Sequence, residues 1–77
     1  MKAIQYTRHA KNRMRMHDIS EAEITAVMED ADFTEPPVEG RINVWKEISG
    51  KFIRVTYKDE SSRIMVITAV KKKKGWR

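Results

Sequence analysis

Residues 41–70 read RINVWKEISGKFIRVTYKDESSRIMVITAV. The stretch is rich in β-branched and aromatic residues with a period near two, and it divides into three strands, RINVWKEI, KFIRVTYK and SRIMVITAV. Ser49-Gly50 makes a tight hairpin turn, and Asp59-Glu60-Ser61-Ser62 makes a longer one. A loop of Ser49 and Gly50 alone sets Ile48 opposite Lys51, Trp45 opposite Arg54, Val44 opposite Val55 and Ile42 opposite Tyr57. A loop of Asp59 to Ser62 sets Tyr57 opposite Ile64 and Val55 opposite Val66. One face then collects Ile42, Val44, Ile53, Val55, Tyr57, Ile64, Val66 and Val70, a floor on which helices can pack. The other collects Trp45, Phe52, Arg54, Met65, Ile67 and Ala69, more apolar than a face in water should be. Such a patch points to a partner, either a second protein or unstacked bases lying on Trp45 and Phe52.

Upstream, Ser20 and Glu23 form a capping box, with Ile19 and Ile24 at the flanking staple positions. Ile24, Val27, Met28 and Ala31 have the i, i+3, i+4, i+7 spacing of one buried helical stripe, and the helix is expected to stop near Ala31. Pro36-Pro37 and Gly40 make a loop of the next stretch. Before this helix, Thr7 caps another over residues 8–17, with Ala10, Met14 and His17 on one stripe. Ile4 and Tyr6 belong to a short first strand. The expected order is β-α-α-β-β-β, an α+β domain with two helices on one face of a small antiparallel sheet. It is a single domain over residues 1–77, with residues 71–77 a basic C-terminal tail.

The chain has 77 residues, no cysteine and two histidines, so disulfides, thiolate sites and a structural zinc are not expected, and no cofactor is implied. No apolar run reaches membrane-spanning length and the start lacks a signal-peptide stretch, which reads as a cytoplasmic protein. A domain this short buries only about 60–65% of its extended surface, so a partner chain is the expected source of extra stability. Its net charge of +5 is unevenly spread. Residues 1–17 carry Lys2, Arg8, Lys11, Arg13 and Arg15 and no acid. Residues 18–40 carry eight acids and no base, from Asp18 to Glu39. The end carries Lys71, Lys72, Lys73, Lys74 and Arg77. A divided basic surface is the footprint of a polyanion binder, or simply a solvated one.

The segments His9-Ala10-x-x-Arg13-Met14 and Ile19-Ser20-x-x-Glu23-Ile24, with Val66-Ile67-Thr68-Ala69-Val70 in the last strand, resemble a family of small bacterial domains of unknown function. The resemblance spans most of the chain. That family in turn looks like a distant relative of the RelE, ParE and BrnT toxins of toxin–antitoxin pairs, which share the same element order. The resemblance implies a RelE-like fold and a toxin-like protein. RelE-like members cut mRNA without a metal, ParE-like members poison a topoisomerase, and both are neutralised by an antitoxin. RelE's catalytic residues do not map one by one onto this chain. The implied partners are RNA, on or off the ribosome, an antitoxin-like protein, or a second copy in a homodimer.

Metal-free RNA cleavage needs a base for the 2′-hydroxyl, an acid for the leaving 5′-oxygen, and cations for the phosphorane. His9 is the base candidate, because imidazole titrates nearest neutrality, and Arg13 lies one helical turn on. The alternative for His9 is a hydrogen bond that anchors the first helix. Arg54 is the strand cation that could clamp a phosphate, or simply stack on Trp45. His17 and Tyr57 fall on buried sides and read as structural. Arg15, Lys46, Lys71 and Lys73 are candidate nucleic-acid contacts, and Trp45, Phe52, Met65 and Ile67 a candidate partner interface. The residues thus support two readings: a metal-independent endoribonuclease or degenerate relative of one, and a non-catalytic interaction module.

Overall fold

A computed structural model describes residues 2–75. Their order is β1 (Ala3–Tyr6), α1 (Arg8–His17), α2 (Glu21–Glu29), β2 (Phe33–Thr34), β3 (Ile42–Ile48), β4 (Lys51–Asp59) and β5 (Arg63–Lys72). The fold is α+β as expected, with both helices on one face of a five-stranded sheet of order β1-β5-β4-β3-β2. Trp76 and Arg77 of the expected tail lie outside the described residues. No helix among the described residues is long and apolar enough to cross a membrane.

The β3–β4 hairpin has the expected register, from Ile42 opposite Tyr57 to Ile48 opposite Lys51. Its turn residues Ser49 and Gly50 both have positive φ, 52° and 79°. A two-residue turn matching the twist of its strands requires this backbone shape. Two features depart from expectation. First, β1 pairs with β5 in parallel rather than antiparallel, Ala3 beside Arg63 and Tyr6 beside Val66. Both helices and three strands separate these two strands in sequence, a connection long enough for parallel pairing. Second, part of the expected loop after α2 forms β2, which pairs Phe33 with Trp45 and Thr34 with Val44 at the sheet edge. Two residues are too few to show a period in sequence.

The register of β5 also differs, and it inverts part of the sheet. Tyr57 lies opposite Val66 and Asp59 opposite Ile64, two positions from expectation, which preserves the faces. Between Thr56 and Tyr57 the register then shifts, because Thr56 lies opposite Thr68 and Ile67 is left without a partner. This bulge inserts one residue and reverses the in–out alternation beyond it. Ala69, expected on the outer face, is therefore buried in the core. Val70, expected in the core, stands opposite Arg54 on the outer face. The strand also runs on to Lys72, past the expected exit after Val70.

The core lies between helices and sheet. Ala10 and Met14 enter it from α1, Ile24 and Val27 from α2, and Val44, Ile53, Val55, Val66 and Ala69 from the strands. The capping box forms as read: Ser20 Oγ accepts from Glu23 N–H, and the Glu23 carboxylate accepts from Ser20 N–H. The α2 helix ends at Glu29, two residues before Ala31, which still packs against the core. Thr7 does more than cap α1. Its Oγ1 accepts from Ala10 N–H at 3.0 Å and donates to the carbonyl of Ile67 at 2.9 Å. The carbonyl released by the bulge is thus satisfied by the helix cap. Thr7→Ala removes both bonds, costing about 1–3 kcal/mol between the lost cap and the abandoned carbonyl. Thr7→Ser keeps the hydroxyl. Urea denaturation should rank wild type and serine well above alanine; equal midpoints for serine and alanine would show that neither bond contributes.

Candidate functional site

The sheet face away from the helices is built in rows that cross the strands. One row is Asn43, Thr56 and Thr68; the next is Phe33, Trp45, Arg54 and Val70; a third is Glu47, Phe52 and Lys72. Thr56 is buried and donates its hydroxyl to the side-chain carbonyl of Asn43. Arg54 lies at the centre. Its guanidinium carbon is 5.6 Å from the centroid of the Trp45 ring, the stacking expected from the hairpin register. Trp45 is itself held, since its indole N–H donates to the carboxylate of Glu35. Backbone bonds from Asp32 N–H to Trp45 O and from Glu35 N–H to Asn43 O bind that loop to β3. Glu35, Trp45 and Arg54 form one chain of contacts, and Arg54 ends it with a buried Nε–H that has no hydrogen-bond partner among the described residues. A buried, unsatisfied donor on a cation is costly unless an acceptor arrives. An anionic oxygen above this face would supply one.

The sequence candidates do not converge here. His9 and Arg13 are on α1, whose Ala10 and Met14 face the core from the helix side, so the sheet separates them from Arg54. The candidate catalytic residues thus divide between two sides of the sheet: residue type selected all three, and the layering of the fold sets His9 and Arg13 apart from Arg54. His9 is exposed and its side chain has no hydrogen bond among the described residues, so no such bond ties α1 to the sheet. His17 is half-buried, and its Nδ1 accepts from Lys71 N–H at 3.4 Å. Tyr57 packs against the core, and burial first, then the Asp59 carboxylate, holds its phenol above the ordinary value.

Of the candidate nucleic-acid contacts, two are already occupied. Lys46 Nζ donates to Asp30 O at 2.9 Å and pairs with the carboxylates of Asp30 and Asp32 at 3.3 and 3.6 Å. Lys71 Nζ donates to Asp18 O at 2.8 Å and lies 4.0 Å from Glu23. Both are thus tied to the acidic stretch on the helix side. Arg15 and Lys73 are exposed. The expected apolar patch is also different in kind. Trp45 is only 6% exposed, screened by Glu35, Arg54 and its strand partner Phe33, while Phe52, Met65 and Ile67 are half-buried. Among the described residues, the large apolar side chains that are exposed are Met16, Phe33 and Val38. Glu35 could not be found by sequence reasoning, because its bond to Trp45 spans a loop with no periodic signal.

No curated protein sequence matches the chain. Among solved structures, the fold is similar to that of the Brucella abortus ribonuclease toxin BrnT, with a TM-score of 0.72 at 18% sequence identity, covering 96% of this chain and 100% of that one. At that identity the likeness concerns the fold, and it agrees with the toxin-like architecture that the sequence motifs implied. The family described as a domain of unknown function, DUF4258, matches residues 6–71, a span from the end of β1 nearly to the end of β5. The chain therefore belongs to the DUF4258 family.

Proposed function

We propose that the protein is a toxin-like, RNA-binding protein of the toxin–antitoxin kind, acting as a metal-independent endoribonuclease from the sheet face that its helices leave open. The observation that carries this reading is Arg54: a cation seated on a buried tryptophan, with one buried donor in need of an acceptor. It is supported by the fold shared with a ribonuclease toxin and by the net charge of +5. Arg54 holds the scissile phosphate and stabilises the charge that builds on it as the 2′-oxygen bonds to phosphorus and the 5′-oxygen departs, with solvent water taking the 2′-hydroxyl proton and returning one to the 5′-oxygen. Glu35 and Trp45 are positioning residues that keep the guanidinium in place before the RNA arrives. His9 and Arg13 contribute no proton transfer at that phosphate, because the sheet lies between. The reading requires a cognate antitoxin-like protein that silences the toxin.

The test is incubation of the pure protein with mRNA, free and on translating ribosomes, in EDTA. Cleavage is expected. Loss of a general base would slow the reaction by about 10²–10⁴-fold, and His9→Ala is expected to fall well short of that. A slowing of that size in His9→Ala would move the site to α1. Absence of cleavage, together with growth inhibition unaffected by Arg54→Ala, would leave the non-catalytic interaction module as the better account.

A further inference from the structure

The bulge at Ile67 also decides which lysine of the run Lys71–Lys74 meets the sheet face. In an uninterrupted β5, Lys71 would share the side of Met65 and Ile67 and stand near Arg54. The inserted residue turns Lys71 to the helix side, where Asp18 and Glu23 engage it. Lys72 takes its place on the outer face, directly opposite Phe52. Arg54 lies opposite Val70, so Lys72 is its diagonal cross-strand neighbour. Such neighbours are about 7–8 Å apart at the backbone, within joint reach of two long side chains. Lys72 is exposed, and its side chain has no hydrogen bond or ion pair among the described residues. The carboxylate in its row, Glu47, stands beyond Phe52, two strand spacings away.

The backbone at Gly75 lies over the same row. After β5 the backbone bends at Lys73 and Lys74, and Gly75 then presses on the Phe52 ring. A Cβ at Gly75 would come within 2.4 Å of Phe52 Cδ1 and 2.6 Å of Cγ. The glycine serves close approach, not an unusual φ. Two cations thus occupy neighbouring register positions with no carboxylate side chain between them among the described residues, and the return of the backbone over Phe52 anchors the second of them.

We infer that Lys72 and Arg54 form a two-cation clamp for neighbouring phosphates of one RNA strand, with Gly75 as the residue that holds Lys72 at the face. The inference rests on the proposed RNA function and adds a binding residue to it. Each phosphate neutralised on a single strand contributes about 0.7 to the slope of log affinity against log salt. Binding of a single-stranded 2′-O-methyl RNA oligonucleotide, which lacks the attacking hydroxyl, measures that slope without cleavage. Lys72→Gln and Arg54→Gln should each flatten it by about 0.7, and the double variant by about 1.4. Lys71→Gln should leave it unchanged, and so should Lys51→Gln, an exposed control at the start of β4 that serves if Lys71→Gln loosens the fold. Gly75→Leu, which alters no charge, should flatten the slope as Lys72→Gln does.

The outcomes separate cleanly. A flatter slope in Arg54→Gln with none in Lys72→Gln overturns the clamp and keeps the sheet face as the RNA site. Equal flattening in Lys72→Gln, Lys71→Gln and Lys51→Gln shows undirected charge and also overturns it. An unchanged slope in Arg54→Gln, or no RNA binding by the wild type, overturns both. A wild-type slope in Gly75→Leu removes the pin from the inference.

Discussion

Arg54→Gln is expected to slow the proposed RNA cleavage by about 10²–10³-fold, the usual cost of removing one preorganised donor from a developing oxyanion. Glutamine keeps a polar side chain of moderate length over Trp45 but carries no charge. The comparison isolates chemistry from folding because of the state of the wild-type side chain. Its Nε is buried with no hydrogen-bond partner among the described residues, so the arginine is a burden on the free protein. Removing it should leave the thermal midpoint unchanged or slightly raised while cleavage falls. Damage to the fold would lower both. A rate within about tenfold of wild type, which is about 1.4 kcal/mol of barrier, would take Arg54 out of the reaction.

Ile53→Ala lowers stability by about 2–5 kcal/mol, the range for truncating a large aliphatic side chain in a packed core. Ile53 is fully buried in β4, between its β3 and β5 neighbours and beneath the helix layer. Its cross-strand partners are Lys46 and Lys71, whose ammonium groups are held by Asp30 and Asp18 rather than free to turn into the space. At about 0.05–0.15 kcal/mol per residue, a chain of this length has about 4–12 kcal/mol in all, so this one change removes a large part. In a domain of this size each kcal/mol moves the midpoint by about 4–8 °C, and the shift should be obvious in a melting curve. A loss below about 1 kcal/mol, the cost of a mere Ile→Val trim, would mean that β4 does not sit at the centre of the core.

The parts of the fold legible in sequence are those specified by near neighbours. The Ser20–Glu23 capping box, the Thr7 cap and the Ser49-Gly50 turn each act within a few residues, and all three are where the sequence puts them. The turn fixes the β3–β4 register, and with it the placement of Arg54 against Trp45. The stretch Ile64-Met65-Val66-Ile67 is different, because it is apolar on both sides and gives no signal of which side faces in. The bulge there, and the exchange of Ala69 for Val70 and of Lys71 for Lys72, depend on what β5 meets across the sheet and on the Thr7 hydroxyl that takes the free carbonyl.

The same division runs through the candidate site. Residue type alone picked out His9, Arg13 and Arg54 as chemically able groups, and charge alone picked out Lys46 and Lys71 as phosphate contacts. Neither property carries information about layers. Packing puts α1 on one side of the sheet and Arg54 on the other, and it closes Lys46 and Lys71 onto the acidic stretch. By itself the sequence determined two capped helices, a hairpin of known register, an α+β class and a divided charge, since local geometry and periodicity encode these. Only the tertiary structure decided that the Nε of Arg54 is buried without a partner among the described residues, that Glu35 braces the ring beneath it, and that Lys72 stands beside it. Those facts arise from contacts between residues far apart in the chain, where an inserted residue in one strand changes which side chains meet.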